Sequence, residues 1–432
     1  MRILVGIAFV IIPCSICAQD APTPFPPKLQ AAWKPRTIIG WMAVTPDQFT
    51  LEFGEGKRGD LPAFQPASFN FADFDDRTPL VDVLKNRLIP EQPFGLDLTD
   101  WGFSIEDADF KALARFKQLQ MLKVGYRLPD FQRMDTIRSS WKLTDAGLEA
   151  LAELKELRML DIHRTQITGK GLKELARLKN LEGLRISRGP LADAALKHIG
   201  AMPALQWLDV SVTEVTDAGV KELTKLKTLT ALNLNANAVS DKGMKHIPAL
   251  KKLKNLQVGW TKITNQGVSE LAPLDNLRVL GLAETDVDDT GVKELPHKNL
   301  ETLNISYTNI TDESLETLGA FSQIRSLELT GTKISGKGLR HLSRIKGLQH
   351  LNIAKNRSVD DEALKEIKNC KQLRELHVWH TKVTVEGLME LRSLKNLEEL
   401  YVAYDDFKDV DETIEKLKKA MPNLKIAVYG FP

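Results

Sequence analysis

Histidines whose spacing could build a metal site are concentrated late in the sequence. His377 and His380 fall within one predicted strand segment, and His350 falls on the predicted strand before it. Imidazoles brought together from neighbouring strands can ligate zinc. Because no cysteine and no consistent carboxylate accompanies them, the pattern favours a polar contact surface, and we assign no metal ligand.

Residues with the spacing of a catalytic site are equally sparse. The sequence has no phosphate-binding glycine loop, nucleophile elbow or zinc-protease motif. Acidic pairs such as Asp405-Asp406 lie at predicted turns, where capping explains them, and Cys370 forms no triad with the nearby histidines. We therefore expect neither a catalytic residue nor a cofactor. Three further histidines share one slot of the predicted helices and are expected to face solvent: His198, His246 and His341.

The strongest chemical signal is a set of aromatic and basic side chains at predicted outward positions of the strands. Side chains alternate across a strand, so those between the buried leucines face outward. The early strands are basic, and the late strands are rich in the aromatic types that form binding hot spots. A competing interpretation is that some rings pack flat on their neighbours. The candidate partner-binding residues are Arg164, Arg185, Arg188, Trp207, Trp260, Tyr307, His350, His377, Trp379, His380, Tyr401 and Tyr404.

An internal repeat of 24 residues sets these positions. Its unit reads Leu-x-x-Leu-x-Leu-x-x-Thr-x-Ile-Thr-Asp-x-Gly-Leu-x-x-Leu, with one step shorter by a residue before Leu300 and one longer before Leu373. The first half of the unit alternates like a strand, and the second half has helical spacing. Repetition at this period predicts a solenoid in which each unit is stabilised by its neighbours.

Two polar features recur in each unit. A threonine such as Thr213, or an asparagine such as Asn237, ends the strand and is expected to bond the backbone of its own turn and of the next coil. A Ser, Thr or Asp then caps the helix. Glycine follows three residues later, as at Gly219, which predicts a close approach where a Cβ would not fit.

The chain divides into three predicted segments. Residues 1–18 resemble a secretory signal, with a basic start, an apolar run and a cleavage site ending at Ala18. Residues 19–93 are interpreted as a linker and an N-terminal cap, with strands near 37–42 and 49–53; a small independent domain is the alternative. Residues 94–432 form the repeat array, which has an insertion at 126–142 and ends in a closing strand.

Composition narrows the function classes. The 432 residues carry a formal net charge of +2, which is too small for a dedicated nucleic-acid or membrane-surface binder. Cys14 and Cys17 leave with the predicted signal, so Cys370 has no intramolecular disulfide partner. No later segment is apolar enough to cross a membrane. We expect a secreted or periplasmic protein.

The segment Val-Thr-Asp-Ala-Gly-Val-Lys-Glu-Leu at 215–223 resembles the leucine-rich repeat superfamily. It is most similar to the T-x-V-T-D-x-G-L-x-x-L subtype common in exported proteins of planctomycete-type bacteria, and the resemblance covers about 94–432. It implies an α/β fold: a right-handed leucine-rich repeat solenoid (horseshoe) with a parallel concave sheet, short convex helices and an N-terminal cap. Eukaryotic F-box substrate receptors carry a similar repeat, but the signal segment contradicts a cytosolic role.

The resemblance implies protein–protein contacts with varied partners. We therefore expect a non-enzymatic protein-binding scaffold or adhesin that uses the concave face and has an unknown protein partner. A carbohydrate or cell-wall binding module is the first alternative, because aromatic rings on a curved sheet also stack on sugars. An F-box-like receptor label by repeat similarity alone and an enzyme hidden in the N-terminal segment are the others.

Overall fold

A computed structural model of the chain describes residues 24–33, 37–45, 50–54, 61–66, 84, 87–98, 105–124, 143–296 and 298–430. The predicted signal 1–18 and the predicted insertion 126–142 lie outside these residues. Of the described residues, those up to Ala238 form one compact unit and those from Val239 form a second. We call them the N-terminal unit and the C-terminal unit.

The N-terminal unit begins with a helix and an antiparallel group of strands. Strand β1 (Thr37–Thr45) pairs with β2 (Thr50–Gly54) and with β3 (Leu61–Pro66). Strand β3 then pairs in parallel with β4 (Phe94–Asp97), the first strand of the array. The two strands expected in this region are present, and β3 covers the open edge of the array, as a solenoid cap must.

The linker expected at 19–34 is wrong in part. Residues Pro27–Trp33 form helix α1, and both Leu29 within it and Phe25 before it are buried. The Phe25 ring meets the Phe94 ring of β4 edge-on, with 6.5 Å between centroids. These two apolar side chains attach the segment to the first repeat, so it cannot act as a free linker.

Parallel strands follow the repeat through each unit, and every strand from β4 onward pairs in parallel with the next strand of its unit. In the N-terminal unit they are β5 (Leu119–Val124), β6 (Met159–Ile162), β7 (Gly183–Arg185), β8 (Trp207–Asp209) and β9 (Ala231–Asn233). In the C-terminal unit they are β10 (Asn255–Gln257), β11 (Val279–Gly281), β12 (Thr302–Asn304), β13 (Ser326–Glu328), β14 (His350–Asn352), β15 (Glu375–His377), β16 (Glu399–Ala403) and β17 (Lys425–Tyr429).

Short helices form the second half of the repeats, after the strands. They are α2 (Asp107–Leu113), α3 (Asp145–Leu151), α4 (Leu172–Leu175), α5 (Asp193–Ile199), α6 (Asp217–Glu222), α7 (Asp241–Met244), α8 (Asn265–Ser269), α9 (Asp289–Lys293), α10 (Asp312–Leu318), α11 (Gly336–Leu339), α12 (Asp361–Ile367), α13 (Val385–Met389) and α14 (Val410–Ala420). None of the helices in the described ranges combines the length and the apolar character needed to cross a bilayer.

Leucines in register form the core of each unit. Leu303 of β12 stands opposite Leu327 of β13, which in turn stands opposite Leu351 of β14. All three are at most 1% exposed, and each such burial contributes about 1.5–3 kcal/mol. The register continues through the shortened step before Leu300 and the lengthened step before Leu373, so the loops absorb both irregularities.

The polar ladder predicted at the strand ends is confirmed. The hydroxyls of Thr285 and Thr308 donate to the carbonyls of Leu282 and Ile305, both at 2.6 Å. Where asparagine replaces threonine, the side chain reaches further: Nδ2 of Asn356 donates to carbonyls of its own repeat and of the repeat before it. These bonds satisfy buried carbonyls at the turn.

The recurring glycine makes room for an aspartate of the preceding repeat. Asp312, at the start of α10, accepts hydrogen bonds from the backbone N–H and the hydroxyl of Ser335, the cap of α11, at 2.7 and 2.6 Å. A Cβ on Gly338 would lie 2.4 Å from the Asp312 Oδ1 atom. The predicted close approach is therefore confirmed.

Candidate partner-binding surface

One position in each of the ten consecutive repeats from Arg164 to His380 has a left-handed backbone. It follows the last outward residue of the strand, and we call the set of these positions the turn row. Glycine is the residue that normally adopts such a backbone, yet only Gly331 is a glycine. The other turn-row residues have φ between 54° and 60°: Arg164, Arg188, Val212, Ala236, Trp260, Glu284, Tyr307, Lys355 and His380.

The turn row extends the hydrogen bonding of the sheet beyond the strands. The N–H of Trp260 donates to the Ala283 carbonyl at 2.8 Å, and the N–H of Tyr307 donates to the Thr330 carbonyl at 2.7 Å. Each bond reaches the following repeat. A left-handed conformation costs a residue with a Cβ about 1–2 kcal/mol. The hydrogen bonds to the following repeat offset part of this cost.

Exposed apolar side chains are concentrated in this row. Trp260 is 55% exposed, and Val212 and Tyr307 are each 38% exposed. Tyr404 stands one repeat after His380 and is also 38% exposed, at the start of a short 3₁₀ turn. These are four of the six large apolar side chains that are exposed in the described part of the chain. Three of the four, Trp260, Tyr307 and Tyr404, lie in the C-terminal unit, where the turn row and its equivalent slot hold the exposed large apolar side chains of the described residues.

The structure divides the predicted binding residues into two groups. Arg164, Arg188, Trp260, Tyr307 and His380 lie in the turn row, with Tyr404 in the equivalent slot. The remaining residues lie on the strands or directly before a turn: Arg185, Trp207, His350, His377, Trp379 and Tyr401. Sequence reasoning treated both groups as strand residues, because it lacked a glycine signal to mark the turns.

The exposed orientation expected for Trp207 and His377 is wrong, since each is only 4% exposed. The Trp207 ring lies over Gly183, where a Cβ would stand 2.8 Å from a ring carbon. The His377 ring stacks on Tyr401 with centroids 4.0 Å apart and planes 6° apart. For these two residues the flat-packing interpretation holds.

The early strands are not a basic surface, because acidic residues alternate with the basic ones. Arg185 lies between two buried aspartates, 3.4 Å from Asp161 and 3.2 Å from Asp209. Lys123 lies 3.6 Å from Asp97 in the same row. Burial would raise the pKa of Asp161, but His163 and Arg185 hold it below its ordinary value. Burial raises the pKa of Asp209 despite Arg185.

A carboxylate that sequence reasoning missed joins two of the late histidines. One carboxylate oxygen of Glu375 lies 2.8 Å from His350 Nδ1, and the other lies 2.7 Å from His377 Nε2, both within hydrogen-bond distance. Burial would raise the pKa of Glu375, but these hydrogen bonds lower it to about 2. Glu328 is buried nearby, and burial raises its pKa. The signal was present in the strand pattern, since Glu375 is two residues before His377.

The third histidine belongs to a different cluster. His380 Nδ1 lies 3.5 Å from Asp405 and 3.4 Å from Asp406, and one ligand atom from each residue lies within 4.8 Å of the others. Such a group has the donor types of a cation site. Asp406, however, already accepts the N–H groups of His380 and Ala403, so it caps the turn as the sequence predicted.

Trp379 is the centre of an aromatic cluster in the C-terminal unit. Its ring contacts His380 at 5.2 Å and Tyr429 at 5.5 Å, and Tyr429 stacks with Tyr401 at 5.7 Å. Lys355 Nζ lies 5.1 Å from the Trp379 centroid. Tyr429 and Lys355 were absent from the predicted patch. Aligning the repeats on their turn residues would have found both.

Two further expectations concern isolated residues. His341 was expected to face solvent, but it is 9% exposed and its Nδ1 has no hydrogen-bond partner in the described structure. That expectation is wrong: the residue lies in a 3₁₀ turn after α11, where Nε2 of its ring accepts a hydrogen bond from Arg340 Nε at 3.3 Å. Cys370 is buried, and burial raises the pKa of its thiol to about 12. This disfavours a reactive thiolate.

Comparisons with known proteins agree with the fold. A leucine-rich repeat family model matches residues 225–247 and 297–319. An internalin from Listeria monocytogenes is similar at 21% identity and a TM-score of 0.50, over 67% of this chain and 82% of that one. No curated protein matches.

Two other solved structures are similar at lower TM-scores. A leucine-rich repeat protein from Leptospira interrogans has 21% identity and a TM-score of 0.46, over 84% of this chain and 95% of that one. A plant peptide hormone receptor has 14% identity and a TM-score of 0.39, over 81% and 64%. The repeat, the strand-and-helix architecture and the two matched segments together support a leucine-rich repeat solenoid fold for this chain.

Proposed function

We propose that this chain is a non-enzymatic scaffold or adhesin that binds a protein partner through its sheet face and the adjoining turn row. One observation carries the proposal: bulky exposed side chains occupy a left-handed backbone position in repeat after repeat. Glycine at these positions would remove the conformational strain of the left-handed backbone. Keeping tryptophan, tyrosine and arginine there favours contact with a partner over stability.

The test starts with affinity capture. The full chain without its predicted signal serves as bait, and the partner is then purified and titrated against wild type, Trp260→Gly and Tyr307→Gly. Each variant removes an exposed ring and relaxes the backbone, so we expect weaker binding by at least about 2 kcal/mol with no loss of thermal stability. Ala236→Gly is the matched control, because it changes the same backbone position and removes only a methyl group. Equal affinities for all four proteins would contradict the proposal.

A carbohydrate ligand is the second candidate. The stacked rings of Tyr401 and Tyr429 beside Trp379 form an aromatic surface of the kind that sugar rings also contact. A glycan array probed with the same full chain separates the two functions. Saturable glycan binding that is lost in Trp379→Ala, without any captured protein, would replace the protein-binding proposal.

We also propose that the protein is exported, to the periplasm or the exterior. The support is the basic start, apolar run and cleavage site within residues 1–18. Exported material should begin at or near Gln19 when its N-terminus is sequenced. Recovery of Met1 from exported protein would contradict signal cleavage.

A further inference from the structure

A lysine is held between two aromatic rings of the turn-row edge. Lys355 Nζ lies 5.6 Å from the Tyr307 ring centroid and 5.1 Å from the Trp379 ring centroid. Tyr307 lies two repeats before Lys355, and Trp379 directly precedes the turn of the next repeat. Cation–π attraction to both rings restrains the ammonium group at the surface and limits the conformations of the lysine side chain.

Gly331 makes this arrangement possible. It occupies the turn-row position between Tyr307 and Lys355, and a Cβ there would stand 2.6 Å from the Tyr307 Cε1 atom. The tyrosine ring therefore lies across the glycine toward Lys355. Gly331 is the one glycine of the ten turn-row positions from Arg164 to His380, and a side chain at this position would push the ring away.

Among the described residues of the C-terminal unit, the lysine ammonium has no anionic partner. Lys355 is exposed, and its Nζ makes no hydrogen bond or ion pair with the residues that the structure describes there. The acidic pair Asp405 and Asp406, after the turn of a later repeat, lies beside His380. Beside the lysine, the buried Nε1 of Trp379 also has no acceptor among the described residues.

We propose that Lys355 is the anchor for a carboxylate of the protein partner, with Tyr307 and Trp379 covering the apolar side chains next to it. The matching ligand is a segment in which an aspartate or glutamate is flanked by apolar residues. A carboxylate accepts charge-assisted hydrogen bonds from an ammonium group that is already positioned, so little side-chain entropy is lost on binding. This inference rests on the proposed function and names the chemistry of its partner.

The test selects ligands without knowing the natural partner. Phage-displayed random linear peptides are panned on the full chain, and the enriched peptides are synthesised and titrated against wild type, Lys355→Gln and Lys355→Arg. Lys333→Gln is the matched control, since Lys333 is exposed in the same unit and takes the same substitution. We expect enriched peptides to carry Asp or Glu beside apolar residues. Their affinity should fall about tenfold for Lys355→Gln and much less for Lys355→Arg or Lys333→Gln.

A second substitution in the peptide separates a direct contact from an indirect effect. Replacing its Asp by Asn, or Glu by Gln, should weaken binding to wild type and leave binding to Lys355→Gln nearly unchanged. Enriched peptides without acidic residues, or with equal affinity for Lys355→Gln, would overturn the carboxylate anchor and leave protein binding standing. If no peptide is enriched over an unrelated protein surface, the anchor and the proposed binding surface both fail. Circular dichroism of each variant confirms that the fold is kept.

Discussion

Asp193 accepts hydrogen bonds from the backbone N–H and the hydroxyl of Thr216 in the following repeat, at 2.7 and 2.6 Å. A Cβ on Gly219 would lie 2.4 Å from the same carboxylate. Helix start, cap and glycine therefore form one unit of structure that spans two repeats. Its recurrence explains why threonine, aspartate and glycine keep a constant spacing along the chain.

This relationship predicts coupled effects on stability. Gly219→Ala should lower the free energy of unfolding by about 1–3 kcal/mol, because the new methyl group displaces the aspartate. Asp193→Ala should cost about 1–3 kcal/mol by leaving the cap donors without an acceptor. Urea unfolding of both single variants and the double variant gives the coupling. The double variant should lose less than the sum, and strict additivity would show that the glycine is kept for another reason.

The turn row predicts a substitution that stabilises the protein. Val212 is β-branched and has φ of 56°, a backbone region that costs such residues more than others. Val212→Gly should raise the free energy of unfolding by about 0.5–1 kcal/mol, since relief of strain exceeds the entropy that glycine adds to the unfolded chain.

Gly331→Ala is the opposite change at the same kind of position. Its φ is 64°, and the new methyl group would meet the Tyr307 ring, so we expect a loss of stability. Both variants are compared with wild type by thermal and urea unfolding. A stability loss in Val212→Gly would mean that packing of the valine side chain outweighs its backbone strain.

Glu375 predicts how stability depends on pH. Its pKa falls from an ordinary value of 4.5 to about 2 in the folded protein. A group with a lowered folded pKa stabilises the fold fully above its unfolded pKa and loses that contribution as pH falls through the folded value. Unfolding free energy should therefore decrease between about pH 4.5 and 2, and Glu375→Gln should flatten this part of the profile. Glu316→Gln, at an exposed position, is the control; a profile for Glu375→Gln that parallels wild type would contradict the assignment.

The sequence predicted the features that depend on the repeat itself. Leucine spacing determines the strands and their register, and the threonine and glycine positions predict the ladder and the close approach. The side-chain environment depends on which residues stand side by side one repeat apart, and the repeat pattern alone does not predict it for polar residues. Trp207 is buried because its neighbour is Gly183, and Arg185 is neutralised because its neighbours are aspartates. The left-handed turns had no consistent sequence signal, because residues other than glycine occupy nine of the ten turn-row positions.

The ion pairs of Arg185 predict that this residue stabilises the fold and is not available to bind a partner. Its guanidinium is the cation shared by Asp161 and Asp209, whose side chains are 0% and 2% exposed. Arg185→Leu would remove the cation that both buried carboxylates share, so we expect a loss of about 3–5 kcal/mol in unfolding free energy at neutral pH. Asp161→Asn and Asp209→Asn added together to that variant should restore much of the loss, because neutral amides need no counter-ion. Arg188→Leu is the comparison, since Arg188 is exposed in the turn row and feels the charges of Arg185 and Asp209 without an ion pair among the described residues; it should cost much less than Arg185→Leu. Urea unfolding of the four proteins decides the matter. If Arg185→Leu is as stable as Arg188→Leu, the arginine is free to serve a partner and the buried charge row is not what holds it.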